Sequence, residues 1–340
     1  MTYASGASML SPLIYSKPPC RKEFFADIRS TLADAYVEVH TYTAARRVEA
    51  AGINRAELEQ RLGKYPPPPG HSPILGVEAA GTITEGQRGW KAGDRVMALC
   101  SGGSYAEQVV VNEGSVLAVP SSWSMHEAAG FMEATLTAYL NVFQIGKAAK
   151  GKSVLIHGGG SGVGTQAISL CKAKGVTTFV TAGSDEKCEQ CAKWGASNVI
   201  NYKTEDYAEV VNSRTQGKGV DIILDCVGAP YLERNMTCLA TDGCVVYIGW
   251  MGGMVAEKVD LMPLLRKRAS LIGSTLRGRS LEFKADLVHN LSQDFKAELK
   301  QGSIKPPIDK VYPWESVADA HARMAASHHF GKILLSMKAT

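Results

Sequence analysis

Residues 153 to 164 read Ser-Val-Leu-Ile-His-Gly-Gly-Gly-Ser-Gly-Val-Gly: a short apolar strand, a glycine-rich turn, and then a helical pattern over Thr165 to Lys174. A helix that starts directly after such a turn points its unpaired N–H groups, and the positive end of its dipole, at whatever lies above the strand. That arrangement suits a pyrophosphate. Gly164 lets the helix pack closely on the strand, and the small residues before it let backbone approach a ligand. Gly160, Ser161, Gly162, Val163 and Gly164 are therefore candidate phosphate contacts. A glycine loop alone is a weak signal; the strand before it and the helix after it give it weight.

The same alternation continues downstream. Apolar runs and their punctuation predict strands at Thr177 to Thr181, Asn198 to Ile200, Val220 to Cys226, Cys244 to Gly249 and Ser270 to Ser274. Helical patterns fall between them at Lys187 to Trp194 and Glu205 to Thr215. Strands separated by helices argue for an α/β fold with a doubly wound parallel sheet and right-handed crossovers. The first 130 or so residues differ. Proline-rich and glycine-rich turns, such as Pro66 to Gly70 and Gly102 to Ser104, separate short strand-like runs at Val37 to His40 and Gln108 to Val111. That texture predicts an irregular β-rich domain. Near the C-terminus a helical stretch at Ser316 to Ala326 precedes a strand-like Lys332 to Leu335, and pattern alone assigns them to neither domain.

At 340 residues the chain exceeds one comfortable core, so two domains are expected. The formal charge of +4 comes without a block of like charges, which argues against nucleic acid as the main partner. No apolar run approaches the roughly 20 residues that a membrane helix needs. Residues 1–12 lack the basic-then-apolar pattern of a signal peptide. Eight cysteines scattered through core-like elements read as buried thiols in a reducing compartment, so a cytoplasmic location is expected.

Several motifs together resemble one family. They are Asn54-Arg55-Ala56-Glu57-Leu58, Gly63-Lys64-Tyr65 with the prolines to Gly70, Ile74 to Gly81, the 158–164 loop, Thr181 to Ser184, Asn201-Tyr202-Lys203 and Gly331-Lys332-Ile333. The chain resembles the zinc-free quinone oxidoreductases of the medium-chain dehydrogenase/reductase superfamily. Zeta-crystallin is a relative there, and the tumour-suppressor-inducible branch is the most similar, from about Leu10 to the end. The resemblance implies a GroES-like catalytic domain (1–134 and 285–340), a Rossmann domain inserted at 135–284, and homodimers paired through a sheet edge.

Where zinc-dependent relatives carry Gly-His-Glu, this chain has Gly76-Val77-Glu78, and Asn54 stands where they have a cysteine. Thiolate and imidazole donors are thus missing, and no metal is expected. Cys188 and Cys191, the only close pair, read as two helix thiols. Without a metal to polarise an alcohol, a substrate that is already electrophilic is the natural partner for a hydride donor, such as a quinone or a conjugated enone. The protein must then stabilise the oxyanion that forms. Tyr65 could present its hydroxyl and Asn54 an amide N–H, or Tyr65 could simply pack under the prolines and Asn54 stabilise a turn. Glu57, aspartate in many relatives, keeps the charge on a longer side chain.

A carboxylate about 20 residues beyond the loop marks NAD preference. Here that position falls in Thr181 to Lys187, where Ser184 and Lys187 match a phosphate-binding pair, with Tyr202 nearby, and Asp185 argues the other way. The expected cofactor is NADPH. Gly249, Met251, Gly252 and Gly253 match a segment that passes the nicotinamide, or form a tight turn after a strand. Arg277 could pair with a cofactor phosphate or solvate a helix start. His157 with Ser161 is not expected to form a hydrolase pair, and His328-His329 reads as solvated.

The reading is an NADPH-dependent quinone reductase that works by direct hydride delivery without metal or flavin. Its enzymatic rival is reduction of the activated double bond of an enal or enoyl thioester, for which Arg61 and Lys64 offer only a sparse basic groove. Its non-enzymatic rival is a nucleotide-regulated RNA-binding or structural protein. Residue types leave open the natural acceptor and the choice between one-electron and two-electron reduction.

Overall fold

The computed structural model describes residues 43–85 and 89–337. The expected strand at Val37 to His40 lies outside them. Among the described residues there are two sheets.

The strands of the first sheet are β1 (Thr43–Ile53), β2 (Glu78–Ile83), β3 (Arg95–Leu99), β4 (Gln108–Asn112), β5 (Val116–Ala118), β12 (Ile308–Pro313) and β13 (Lys332–Ser336). Those of the second are β6 (Ser153–His157), β7 (Thr177–Ala182), β8 (Asn198–Asn201), β9 (Val220–Asp225), β10 (Leu239–Tyr247) and β11 (Ser270–Gly273). The second sheet runs in the order β11-β10-β9-β6-β7-β8 and every pairing in it is parallel. This is the doubly wound order that reverses between its first and fourth strands, here β6 and β9, and such sheets open a crevice at the carboxyl ends of those two strands. Val154, Leu155, Ile156, Ile222, Ile223 and Leu224 are all buried, as expected of central parallel strands covered on both faces.

The first sheet is mostly antiparallel and runs β12-β13-β1-β2-β3-β5, with β4 also on β1. β1 can serve three neighbours because it bends at a register shift between Val48 and Ala50. Its first half pairs with β4 and its second half with β13. The two C-terminal strands, which pattern had left unassigned, therefore complete the β-rich sheet, and β13 lies between β12 and β1.

Elements were legible from the sequence, and their ends were less so. The helix after the glycine loop spans Gly162–Ala173 and starts earlier than its apolar pattern, because Ser161 caps it by accepting from the Gly164 N–H. Asp206 caps the helix Tyr207–Arg214 by accepting from Ala208 and Glu209, so that helix begins later than the expected Glu205. β10 begins at Leu239, before the expected Cys244, because Leu239 already pairs with Val220 ahead of a register shift.

One place where the two sheets meet is the glycine loop. The Gly331 N–H donates to the Gly160 carbonyl at 2.8 Å, so the segment entering β13 lies on the glycine loop. A Cβ at Gly162 would sit 2.6 Å from Cδ of Lys332, and one at Gly164 would sit 2.4 Å from the Gly158 carbonyl oxygen. Glycine is thus needed at both positions for different contacts: one lets β13 approach, the other lets helix and strand close.

Gly164→Ala is expected to force helix and strand apart, lowering stability by about 1–3 kcal/mol and weakening dinucleotide binding in parallel. Urea denaturation and nucleotide titration by fluorescence read the two effects. Unchanged values for both would show that the close approach is not needed.

Candidate active site

Under the carboxyl end of the second sheet, a lysine is buried in an all-oxygen cage. The Lys332 ammonium lies 2.7 Å from Oε1 of Glu78, 2.6 Å from Oδ1 of Asn54 and 2.9 Å from the Ile53 carbonyl oxygen. Lysine has three N–H donors, and each has an acceptor here. The two side chains of the ion pair are only 2% and 0% exposed. Glu78 is equally occupied: Oε1 also accepts from Asn54 Nδ2 at 3.0 Å, and Oε2 accepts from the Glu133 N–H at 2.9 Å. That N–H belongs to the first turn of the helix Met132–Ala138, where a carboxylate is favoured by the helix dipole. Gly52 makes room for the pair, since a Cβ there would lie 2.2 Å from Oε1 of Glu78.

Two more carboxyls border this pair. Glu57 is fully buried, with Oε2 accepting from the Asn54 N–H and Oε1 lacking a partner. Burial pushes its carboxyl up to about 8, although the Lys332 charge pulls the other way. The expected charge at Glu57 is therefore largely absent at neutral pH, and the helix cap holds a neutral acid. Glu133 is half-buried, and burial, reinforced by Glu78, raises it to about 7 against the pull of Lys332, Lys284 and Arg277.

Beyond Glu133 the cleft becomes cationic and aromatic. The Arg277 guanidinium lies over the Tyr65 ring, 5.4 Å from its centroid, and its Nη2 donates to Oε1 of Gln60 at 2.6 Å. The Lys284 ammonium donates to the Arg277 carbonyl oxygen at 2.9 Å. Tyr65 meets the Trp250 ring edge-on at 6.2 Å. Burial raises the Tyr65 hydroxyl, partly offset by Arg277, so it is a protonated donor at neutral pH. Tyr65 thus sits in the cleft, not merely beneath its prolines. Arg277 is buried and lies against Gln60 and Tyr65, so it does not solvate a helix start; Ser280 caps the following helix. Asn54 is bound to Glu78 and Lys332, which leaves one of its two amide N–H groups without a protein partner.

The loop end of the site is built from backbone. Ser161 Oγ takes the Gly164 N–H, and the Ser161 carbonyl takes that of Thr165. The N–H groups of Gly162 and Val163 remain among those that a helix start leaves unpaired. At the end of β7, Ser184 caps the next helix by accepting from the Lys187 N–H, and a Cβ at Gly183 would lie 2.7 Å from the Tyr202 hydroxyl. Ser184, Tyr202 and Lys187 therefore border one spot. The Lys187 ammonium donates to the Ser327 carbonyl oxygen at 2.6 Å. Asp185 accepts from Asn201 Nδ2 at 2.7 Å, which ties the carboxylate that had argued for NAD to β8. Gly249, Met251, Gly252 and Gly253 form a turn on the 226–228 segment: Met251 and Gly252 donate to the carbonyls of Cys226 and Val227, and Gly253 bridges Gly228.

Other candidates fall away. His157 is buried between Thr181 Oγ1 and Asn235 Oδ1, while Ser161 serves the helix cap. His329, expected to be solvated, is buried, and burial lowers it to about 4; only His328 of the two is exposed. Cys188 and Cys191 are buried helix thiols, the latter pushed up to about 12 by burial.

Two family descriptions match the chain: "alcohol dehydrogenase GroES-like domain" over residues 44–121 and "zinc-binding dehydrogenase" over residues 162–293. Mouse (Mus musculus) synaptic vesicle membrane protein VAT-1 homolog is 34% identical over 306 residues, which cover 85% of this chain and 75% of that protein. The chain belongs to the medium-chain dehydrogenase/reductase superfamily. Among solved structures, Escherichia coli quinone oxidoreductase complexed with NADPH superposes with a TM-score of 0.78 at 28% identity, covering 89% of this chain and 94% of that one. CurK enoyl reductase gives 0.76 at 26% identity, with the same coverages. The two sheets are therefore GroES-like and Rossmann in type, and the chain is an oxidoreductase of this superfamily.

The word zinc in one description does not fit the residues at the joint. An amide and a carboxylate face each other across a lysine ammonium, which would repel a cation, and the usual soft donors are missing. Among the described residues no group of three or more His, Cys, Asp or Glu is placed to hold a metal ion, and no helix is long and apolar enough to cross a membrane.

The raised Glu57 carboxyl has a pH consequence. The folded state keeps a proton there that the unfolded chain releases near its ordinary 4.5, so the stabilisation is full below that pH and is lost as pH rises towards 8. Glu57→Gln keeps the shape and stays neutral. Its stability relative to the parent is expected to rise between pH 5 and 8, with a limiting slope of about 1.4 kcal/mol per pH unit. Denaturant midpoints measured across that range check it; parallel curves would mean that Glu57 is ionised in the fold.

Proposed function

We propose that this protein is an NADPH-dependent quinone reductase that delivers hydride directly to its acceptor. The observation that carries the reading is the junction of a dinucleotide loop with a cleft lined by Tyr65, Trp250 and Arg277, in which an ammonium takes the place of a metal. NADPH in the related E. coli structure and quinone in that protein's name support it.

In this reading Gly160, Ser161, Gly162, Val163 and Gly164 hold the pyrophosphate on the free N–H groups of the helix start. Ser184, Tyr202 and Lys187 hold the 2′-phosphate, and Gly249, Met251, Gly252 and Gly253 flank the nicotinamide. When bound, NADPH supplies a hydride. Tyr65 donates its hydroxyl to the acceptor oxygen, and Asn54 offers its remaining N–H. Trp250 covers the cleft against water. Water or Tyr65 supplies the proton.

Domain limits of 1–134 with 285–340 and 135–284 accord with the two sheets. Pairing of two copies along β11 accords with its place at the sheet edge and with exposed Leu261, Met262, Leu265 and Leu271 nearby. A cytoplasmic setting accords with buried free thiols at Cys171, Cys188, Cys191 and Cys238. A second reading, reduction of enals or enoyl thioesters, is favoured by the likeness to CurK enoyl reductase, because one hydride geometry serves both acceptors.

Initial rates of NADPH and NADH oxidation against ortho-quinones, para-quinones, enals and enoyl thioesters separate these readings. NADPH with quinones is expected to be fastest; preference for enals or thioesters would move the function to double-bond reduction, and tight binding without turnover would make the protein non-catalytic. Lys187→Ala is expected to weaken NADPH binding about tenfold or more while leaving NADH unaffected, consistent with about 1.5–3 kcal/mol for a charged hydrogen bond. Equal losses for both cofactors would remove Lys187 from 2′-phosphate recognition.

A further inference from the structure

Arg277 has more hydrogen-bonding capacity than its surroundings use. The side chain belongs to a residue that is only 8% exposed, yet Nε and Nη1 have no protein partner. Only Nη2 is occupied, by Gln60. Its setting is aimed at one purpose: the Tyr65 ring packs on the guanidinium, the Gln60 bond fixes its plane, and Lys284 anchors the backbone of the same residue. Nearby, Nδ1 of His71 is also buried without a partner. Among the carboxyls, Glu133 couples to Arg277, Lys284 and Tyr65, and burial raises it to about 7. Unpaired N–H groups on a buried cation are costly unless something in the working protein accepts from them.

We propose that an open N–H of Arg277, on Nε or on Nη1, receives the acceptor oxygen on which negative charge develops, making Arg277 the oxyanion-binding catalytic residue. This rests on the reading of the protein as an NADPH-dependent reductase of quinones. In the step concerned, NADPH gives a hydride to the quinone and its electron pair moves onto a carbonyl oxygen. The product is the hydroquinone monoanion, and NADP⁺ remains. A guanidinium N–H matches that oxygen in charge and as a donor. A proton from Tyr65 or water then completes the hydroquinone. Arg277 thereby leaves the cofactor-phosphate role that its sequence position suggested.

The test uses a series of substituted phenols of decreasing hydroxyl pKa as product analogues, bound to the full protein with and without NADP⁺ and read by tryptophan fluorescence. The parent is expected to bind phenolates at least tenfold more tightly than neutral phenols of the same size. Arg277→Gln is expected to lose that preference, and its kcat for quinone reduction should fall about 100-fold with little change in KM. Arg277→Lys keeps a charge without the planar guanidinium and should be intermediate; it carries the test if the glutamine variant does not fold. An Arg277→Gln protein that keeps both its kcat and its phenolate preference would overturn the proposal. If the parent reduces no quinone but its phenolate preference vanishes in Arg277→Gln, the anion site stands and the quinone reading falls.

Discussion

The Lys332 ammonium holds the molecule's working parts in one place. Its three oxygen partners come from the end of β1, from the cap of the following helix and from β2, while its own strand enters from the glycine loop. Removing either charge would leave the other buried and unpaired, at a cost of about 3–5 kcal/mol. Such pairs add little net stability over an apolar core. What this one supplies is position: Asn54, Glu78 and the first turn of the helix at Glu133 are fixed relative to the loop where a dinucleotide phosphate belongs.

The carboxyls around it are graded by burial. Glu78 is the member paired with Lys332. Glu57, walled in with one oxygen unpartnered, stays mostly protonated at pH 7, and Glu133, closer to the cleft, sits near neutrality. Three acids and one lysine thus coexist without a large net charge in the interior. Further out, Arg277 and Lys284 put positive charge on the cleft.

Local chemistry made much of this legible in the sequence. The glycine loop, the Ser161 and Ser184 caps and the alternation of strand and helix follow from residue types a few positions apart, and they gave the parallel sheet and its phosphate end. Long-range partners were not legible. Lys332 meets Asn54 across 278 positions, and nothing in a strand-like Lys-Ile-Leu-Leu says that its lysine points inward. Glu133 gave one signal, a lone carboxylate in the apolar run Gly130 to Leu136, and it went unread. Arg277 reads in sequence as a phosphate partner or a helix-start residue; its contacts with Gln60 and Tyr65 come from the other sheet's side of the cleft and leave no trace in its sequence neighbours. His329 seemed solvated because a His-His pair near a terminus usually is, but burial overrode that expectation.

The most direct test of this account is a double-mutant cycle on Lys332→Met and Glu78→Gln, read by urea denaturation and by NADPH dissociation constant on the same four proteins. Each single change is expected to cost about 3–5 kcal/mol and to weaken NADPH binding, with the double variant much less affected than the sum. Additive stability losses with NADPH affinity unchanged in all four proteins would contradict the account, since the pair would then position nothing at the nucleotide loop.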